Sequence, residues 1–443
     1  MANKNLLGIS MRKLLQILSV GSQYKSLYKG MATIAAGGFL AKLVGLAITP
    51  LLTRLYTPSD FGVFAIFLSI ISIFMPLLTL RYVIAIPLPR TDRAAAHIFV
   101  MSAIFLALNS ILFVFIFYLS KDWIFNVLSV ENLTESWWVV CVGLFIAGIC
   151  DLLTYWHVRK RNYFSISKVS LLQSLSSSLS KLGLASLTNK SSGLVWGHII
   201  GLFTSSCLFF AELWRLNRSD FKTIRFSRVI LMLRRYKDIP VYRIPSHLTL
   251  IISQQIPVIF MSTMFGASVA GQFSLAVTVI VTPLALVGHS MGQALVGEAA
   301  KLGKKQPTEI YEMAKNVQIK LLFFGAIPFI MLLTYGPELF SFVFGNNWQT
   351  AGKFASIMSI YILFQFTSVP LMQLANIIEK QRALFLLNLG RLTLLISVIA
   401  ISFFSSFSEF YFLILYSVAN VIFFIFSSVL IMYLLYKEKL NNN

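Results

Sequence analysis

The sequence predicts an all-α polytopic membrane protein with twelve transmembrane helices in two six-helix lobes and both termini in the cytoplasm. Three observations support this prediction. Of the 443 residues, 57% are hydrophobic and only 12% are charged, whereas a soluble domain carries about 25% charged residues. Apolar runs of about 20 residues, the length that crosses a bilayer, recur along the chain. Basic residues also alternate in abundance from one connecting segment to the next.

The apolar runs predict twelve spans, of which the fifth and sixth are the weakest. The fifth is rich in serine, which is typical of a helix that faces protein or water rather than lipid. The predicted spans are 31–53, 61–80, 96–119, 136–157, 166–187, 193–214, 244–264, 269–296, 317–335, 351–378, 383–405 and 410–435.

The distribution of charge sets the predicted orientation. With the N-terminus inside, most of the 37 lysine and arginine residues fall in cytoplasmic segments, as the positive-inside rule requires. The predicted outer segments hold only Arg54, Lys121, Lys190 and Lys353. Basic loops beside an anionic inner leaflet explain the net charge of +21, so the lipid bilayer is a predicted partner and nucleic acid is not.

An internal repeat predicts the two lobes. The segment "SDFGVF" (59–64) aligns with "SVAGQF" (268–273), which places Gly62 over Gly271. Transporters built from two parallel repeats bind substrate between the halves and rock one half against the other. The predicted organisation is a basic cytoplasmic N-terminal segment (1–30), an N-lobe (31–214), a basic cytoplasmic inter-lobe loop (215–243), a C-lobe (244–436) and a cytoplasmic tail (437–443).

A polar break, "LLTRLYTPSDFG" (51–62), separates the first two predicted spans. Pro58 and Gly62 end one helix and begin the next sharply. Asp60 lies at the N-terminus of the second span, where the helix dipole favours an anion. Arg54 is near enough to pair with Asp60, which predicts a capped outer corner. Alternatively, Arg54 lies at the outer mouth of a substrate cavity.

Five sequence blocks carry a family resemblance. They are "LYTPSDFGVFAIFLSI" (55–70), "LRYVIAIPLPR" (80–90), "SQQIPVIFMSTMFGASVAGQFSLA" (253–276), "PLALVGHSMGQAL" (283–295) and "YGPELFSFVFGNNWQTAG" (335–352). In matching order, these blocks resemble the polysaccharide flippases, which are the O-antigen and capsule repeat-unit exporters of the multidrug/oligosaccharidyl-lipid/polysaccharide (MOP) superfamily. The resemblance implies a twelve-helix exporter in the bacterial inner membrane that serves lipopolysaccharide biosynthesis. It implies that undecaprenyl-diphosphate carrying a short oligosaccharide passes from the cytoplasmic to the periplasmic leaflet, with polymerase and chain-length proteins of the pathway as further candidate partners.

Cations inside the predicted spans are the candidate diphosphate contacts, because a charge at that depth is costly unless it faces a cavity or a partner. Lys42, near the middle of the first span, is the predicted central contact, with a structural ion pair as the alternative. Arg81 and Arg391 are predicted nearer the cytoplasmic entrance, and for both the alternative is extension to the inner interface. Lys181 is a further candidate, or else it extends towards the outer interface.

Four other ionisable residues are candidates for energy coupling or ion pairing. Asp151 and Glu212, in the fourth and sixth spans, are candidates to pair with the cations or to carry a proton. For Glu212, nearness to the cytoplasmic interface is the simpler interpretation. His247 and His289, in the seventh and eighth spans, are candidate proton relays or polar residues that bond to a neighbouring helix.

Four tryptophans lie at predicted outer boundaries, which is the pattern of an interfacial aromatic belt. A platform on which sugars stack is the alternative interpretation. These residues are Trp123, Trp137, Trp138 and Trp348.

The sequence argues against an enzyme. It has no Gly-x-x-x-x-Gly-Lys-Ser/Thr loop for ATP and no metal-ligand spacing, so we expect no cofactor and no metal. Three alternative functions stay open: a cation-coupled drug or metabolite exporter of the same superfamily, a flippase for the peptidoglycan lipid precursor, and a membrane scaffold for polysaccharide assembly. The presence of Lys42 where such drug exporters tend to have an acidic residue favours an anionic cargo.

Reporter fusions test the predicted orientation. Green fluorescent protein fused after Asn443 is expected to fluoresce, because that terminus is predicted to lie in the cytoplasm, where the reporter folds. Alkaline phosphatase, which is active only outside, is expected to be active when it is fused within 120–135 and inactive after Asn443. The opposite pattern would contradict the predicted topology.

Overall fold

The computed structural model describes residues 22–130, 134–187, 190–221, 224–302, 307–374 and 381–441. Within these ranges the protein is built from helices and short turns, as the composition predicts. Most of the predicted N-terminal segment (1–30) and the end of the predicted tail lie outside the described residues.

The helices form two sets of six joined by a short connecting helix. The first set is α1 (Ser22–Leu55), α2 (Pro58–Leu78), α3 (Asp92–Val127), α4 (Trp137–Arg159), α5 (Tyr163–Leu184) and α6 (Lys190–Asn217). The connection contains α7 (Phe226–Arg235) and a π-helical turn, Ile239–Arg243. The second set is α8 (Ile244–Phe265), α9 (Ala267–Leu302), α10 (Pro307–Phe344), α11 (Gln349–Leu374), α12 (Gln381–Phe404) and α13 (Glu409–Asn441).

Of the twelve long helices in the described residues, 11 are long and apolar enough to cross a membrane. The exception is α5, the serine-rich helix that the sequence marks as weak. The protein is therefore a multi-pass membrane protein, whereas the count of twelve crossings and the cytoplasmic position of both termini stay predictions.

Protein contacts compensate for the polarity of α5, which packs between α1 and α6. A β-carbon added to Gly37 of α1 would collide with the side chain of Ser167, and one added to Gly201 of α6 would collide with that of Ser177. Small residues on both sides let helix backbones approach closely in a membrane. The serines of α5 thus face neighbouring helices, as the sequence predicts for this segment.

Each half has its own apolar core, and the two halves interlock through α2 and α9. The main cluster of buried side chains in the first half runs from Val63 to Val229, and that of the second half runs from Phe260 to Phe424. Phe61 of α2 packs against the second cluster, and Ala267 of α9 packs against the first. These two residues lie at the beginnings of their helices, so the contact is made at the predicted outer ends.

Two glycines that the internal repeat places in equivalent positions form this crossing. A β-carbon on Gly62 would overlap the carbonyl group of Ala267, and a β-carbon on Gly271 would overlap that of Pro58. The contact is reciprocal, as expected for two repeats related by a twofold axis along the membrane normal. Glycine is required at both positions because the two backbones are in direct contact, which leaves no room for a side chain.

The polar break before α2 forms a capping box. The side-chain hydroxyl of Thr57 accepts from the backbone N–H of Asp60 at 3.3 Å, and an Asp60 carboxylate oxygen accepts from the backbone N–H of Thr57 at 2.8 Å. Pro58 occupies the first helical position, which suits its fixed φ. Asp60 therefore caps its own helix instead of pairing with Arg54, because the capping partners lie within one turn of it.

Substitution of Gly62 tests the crossing. Gly62→Ala is expected to lower the free energy of unfolding by about 1–3 kcal/mol, because the added methyl group forces the two backbones apart. Gly38→Ala is the matched control, since a β-carbon there meets nothing within 4 Å and alanine favours a helix interior. The measurement is the thermal unfolding of the purified protein in detergent. Equal stability of the two variants would contradict the assignment of Gly62.

Candidate functional site: charged residues between the halves

The two halves are joined at their predicted outer ends. The indole N–H of Trp348 donates to the carbonyl oxygen of Thr53 at 2.9 Å, and its ring meets that of Phe61 edge-on at 4.9 Å between centroids. Ser262 of α8 donates to the carbonyl oxygen of Leu128, at the end of α3, at 2.6 Å. With the glycine crossing, these contacts join the halves at their predicted outer ends.

Trp348 has a different role from the one that the sequence predicts. It is fully buried, so its assignment to an interfacial belt is wrong, whereas Trp123 (71% exposed) and Trp138 (48% exposed) have the exposure that a belt requires. Gln272 of α9 holds the turn before Trp348 by donating to the carbonyl oxygen of Asn347 at 2.6 Å. Trp348 is therefore a contact that locks the outer ends together.

Arg81 lies buried at the inner end of α2. Leu80 and Arg81 both adopt left-handed backbone conformations, with φ of 46° and 58°, and lead into a 3-10 turn, Tyr82–Ala85. The Arg81 side chain is only 9% exposed, and its Nε has no hydrogen-bond partner among the described residues. The sharp turn thus directs Arg81 into the protein, and the alternative of extension to the aqueous interface is not observed.

Arg81 lies near titratable side chains of both halves. It interacts electrostatically with Asp151 of α4 and with His247 of α8. Asp151 and His247 are both partly buried. Within the described residues, none of the direct salt bridges involves Arg81, so its guanidinium retains hydrogen-bonding capacity for a ligand. The structure therefore brings together three of the residues that the sequence predicts.

Lys42 lies on the open face of α1. An adjacent face packs on α5, where Ser174 donates to the carbonyl oxygen of Ala41 at 2.6 Å. The Lys42 side chain is exposed, and in the described part of the chain it takes part in no salt bridge. The alternative of a structural ion pair is therefore not observed, and the charge is available to an anion.

Glu212 of α6 is engaged in local contacts. Its carboxylate accepts from the side chains of Asn162 and Ser165 in the first turn of α5, and it lies 3.6 Å from Nε2 of His157. These contacts tie the inner ends of α4, α5 and α6 together. They favour a structural role over energy coupling.

Lys181 lies within the first half. Its Nζ is 4.5 Å from the centroid of the Phe64 ring, a cation–π contact. Its backbone carbonyl accepts from the hydroxyl of Tyr56 at 2.5 Å, and its charge acts on His198 of α6. The side chain therefore packs among α2 and α6 and does not extend towards the outer interface.

Arg391 packs within the second half. Its guanidinium carbon lies 5.5 Å from the ring centroid of Phe423 and 5.4 Å from that of Phe424, and it donates to Asn420 at 3.5 Å. Aromatic and amide side chains of α13 hold the cation here. Its role as a diphosphate contact near the cytoplasmic entrance stays a prediction.

Two predicted residues have fewer described contacts. Arg54 is exposed in the last turn of α1, which places it at the outer end of the first half. His289 belongs to α9, but its side chain lies outside the described residues.

The sequence analysis missed an ionic network at the inner end of the first half. Nζ of Lys160 lies 2.8 Å from Asp92 and 2.7 Å from Asp220, and Arg159 bonds to Asp92 at 3.0 Å. Partial burial lowers the pKa of Lys160, but its hydrogen bonds to Asp220 and Asp92 outweigh this and raise the pKa above its ordinary value. The network joins α3, the end of α4 and the 3-10 turn Arg218–Phe221 that follows α6, whereas the sequence analysis used the basic residues only as markers of orientation.

The described helices have the fold of solved transporters of the MOP superfamily. The profile of a family described as polysaccharide biosynthesis protein matches residues 51–353. The chain belongs to this family, so the predicted resemblance is confirmed. No curated protein sequence matches the chain significantly.

Solved transporters share the fold at low sequence identity. The lipid II flippase MurJ, in an inward closed conformation, matches with a TM-score of 0.67 and 11% identity over 93% of each chain. An inward-facing multidrug resistance MATE transporter matches with a TM-score of 0.62 and 13% identity over 93% of this chain and 96% of its own. A MOP superfamily transporter from Pyrococcus furiosus, noted for the reverse polarity of its binding pocket, matches with a TM-score of 0.55 and 11% identity over 93% of this chain and 96% of its own. Such transporter and flippase families are not enzymes.

The outer contact can be tested by replacing Trp348. Trp348→Phe keeps an aromatic ring but removes the N–H that bonds to Thr53, so we expect the outer ends to separate in a larger fraction of molecules. The measurement is the distance distribution between spin labels at the exposed positions Arg54 and Glu338, which should gain a longer component.

Trp123→Phe is the matched control. Because Trp123 is 71% exposed, this substitution should leave the distance distribution unchanged. If Trp348→Phe gives the distribution of the unmodified protein, Trp348 does not lock the outer side.

Proposed function

We propose that this protein is a flippase that moves undecaprenyl-diphosphate-linked oligosaccharide repeat units from the cytoplasmic to the periplasmic leaflet of the bacterial inner membrane. The cargo serves the synthesis of O-antigen, and hence lipopolysaccharide, or of another surface polysaccharide. The observation that carries the proposal is Arg81, a buried cation with unused hydrogen-bonding capacity at the meeting point of the halves.

In this proposal the substrate lies in a cleft between the halves, and the chemistry of its diphosphate fits two cations, Arg81 and Lys42. A guanidinium binds two phosphate oxygens at once, whereas an ammonium acts as a point charge. Arg81 lies at the inner end of α2, and Lys42 lies further along α1 towards the outer end. In this proposal Arg81 receives the headgroup from the inner side, and Lys42 carries it through the middle of the membrane.

Asp151 and His247 give the cleft a way to release its cargo. In the empty cleft the carboxylate of Asp151 offsets the charge of Arg81, and a bound diphosphate takes its place. His247 brings a titratable group from the second half to the same point. When the halves rock, the separation of Trp348 from Thr53 opens the outer side, where the exposed Arg54 assists departure of the headgroup.

Two other proposals fit the fold, and cargo assays separate them. A cation-coupled exporter of drugs or metabolites would need a carboxylate facing the cleft, and Asp151 would have to supply it. A flippase for the peptidoglycan precursor would use the same diphosphate chemistry with a different sugar. The exposed Lys42 and the buried Arg81 favour an anionic cargo over a cationic one, and polymerase or chain-length proteins would then receive it.

Reconstituted transport tests the proposed function. Proteoliposomes containing the protein are expected to move a fluorescent undecaprenyl-diphosphate oligosaccharide between leaflets. Lys42→Ala and Arg81→Gln should each slow this movement by about 10- to 100-fold, the value of one charged hydrogen bond. Lys42→Arg and Arg81→Lys should retain part of the activity, because they preserve the charge.

Lys353→Ala is the matched control, since this exposed lysine lies at the predicted outer end of α11. Normal transport by both neutral variants would contradict the roles of Lys42 and Arg81. Failure of the unmodified protein to move the lipid, together with export of an organic cation, would contradict the flippase itself.

A further inference from the structure

The connecting helix α7 is attached to the first half by one face only. Val229 is 5% exposed and belongs to the core of that half, against which Met232 and Leu233 also pack. Just before the helix, the backbone N–H of Arg225 donates to Nε2 of the buried His97 at 3.3 Å. The helix is thus fixed in orientation relative to α3.

The opposite face of α7 is both apolar and basic. Phe226 is 69% exposed, Ile230 is 43% exposed and Leu231 is 58% exposed, which are high values for large hydrophobic side chains grouped on one short helix. Three arginines flank them, and the helix contains no acidic residue. The arginines, all exposed, are Arg228, Arg234 and Arg235.

The position of α7 brings this face to a membrane surface. It follows α6, which crosses the membrane and ends at Asn217, and it precedes α8, which begins at Ile244 and crosses back. A short helix between the ends of two spans lies at the level of the lipid headgroups. Apolar side chains flanked by cations on a helix in that position are suited to insert among acyl chains while the cations meet phosphates.

We propose that the exposed face of α7 is a binding site for anionic phospholipid headgroups of the inner leaflet. Phe226, Ile230 and Leu231 insert below the headgroups, and the arginines bind the lipid phosphates. Charge complementarity selects this occupant, because each basic residue near an anionic surface adds attraction that a neutral lipid does not supply.

Bound lipid at α7 also acts on the connection between the halves. The helix is followed by the π-helical turn Ile239–Arg243, which contacts the 3-10 turn Tyr82–Ala85 beside Arg81. Single π-helical turns frequently mark functional sites. Anionic lipid therefore holds the connecting segment next to the inner opening of the cleft. The lipid-binding site does not depend on the proposed function, whereas the effect of bound lipid on transport rests on that function.

Insertion is measured with a nitroxide label at Ile230→Cys in a Cys207→Ser background, since Cys207 is the exposed native cysteine among those described. In vesicles containing phosphatidylglycerol, we expect the label to collide with oxygen and to be shielded from a water-soluble nickel complex. In pure phosphatidylcholine we expect the nickel complex to reach it. A label that is equally accessible in both vesicles overturns the proposal.

A triple variant tests the role of charge. Arg228→Gln, Arg234→Gln and Arg235→Gln together are expected to raise the phosphatidylglycerol fraction needed for half-maximal shielding at least about fivefold. The matched control removes three exposed lysines of the second half, Lys315, Lys320 and Lys437, also by substitution with Gln. If the two triple variants raise this phosphatidylglycerol fraction equally, the effect comes from net charge, and the proposed lipid site on α7 is wrong.

Transport of the lipid-linked oligosaccharide is measured in the same vesicles, so the two proposals fail separately. Shielding at Ile230 without transport in any vesicle retains the lipid site and refutes the flippase. Transport with an unshielded label refutes the lipid site alone. Shielding by phosphatidylglycerol together with faster transport of the lipid-linked oligosaccharide supports both.

Discussion

The direct contact between the backbones of α2 and α9 at Gly62 and Gly271 determines how the rest of the molecule is arranged. Each half buries its own apolar side chains, and the glycines join the halves at their predicted outer ends, where a β-carbon on either would meet the other helix. The contact continues at mid-helix, where the hydroxyl of Ser69 in α2 donates to the side-chain amide oxygen of Gln255 in α8 at 2.9 Å. In the proposed function, the halves rock against each other about this contact.

The charged side chains of the protein differ in the groups that they contact. Lys160 and Glu212 are held by local partners at the inner end of the first half, and they stabilise the scaffold. Lys181 and Arg391 each rest on aromatic rings within one half. Arg81 alone among these is buried near titratable side chains of both halves. A cation in that position changes its environment when the halves move, which is what the proposed transport of an anion requires.

Much of this arrangement could be predicted from the sequence, because it depends on local patterns. Apolar runs and their lengths predict the helices, and the serines of α5 predict a helix that faces protein. The repeat predicts that Gly62 and Gly271 are equivalent, although their mutual contact requires the two halves to be assembled. Trp348 was misassigned because its burial depends on the end of α1, nearly three hundred residues earlier. The rings beside Arg391 could not be predicted, because they belong to another helix, and the inward turn of Arg81 depends on two left-handed residues that no sequence pattern marks.

The central claim is that a diphosphate headgroup binds at Arg81 between the halves. The most direct test is an electron cryomicroscopy structure of the protein with an undecaprenyl-diphosphate oligosaccharide bound, in lipid nanodiscs at saturating ligand. The account predicts density for the two phosphates within hydrogen-bond distance of the Arg81 guanidinium, with the sugar in the cleft on the side of Lys42. Density for the headgroup at Lys181 or Arg391, inside a single half, would contradict it.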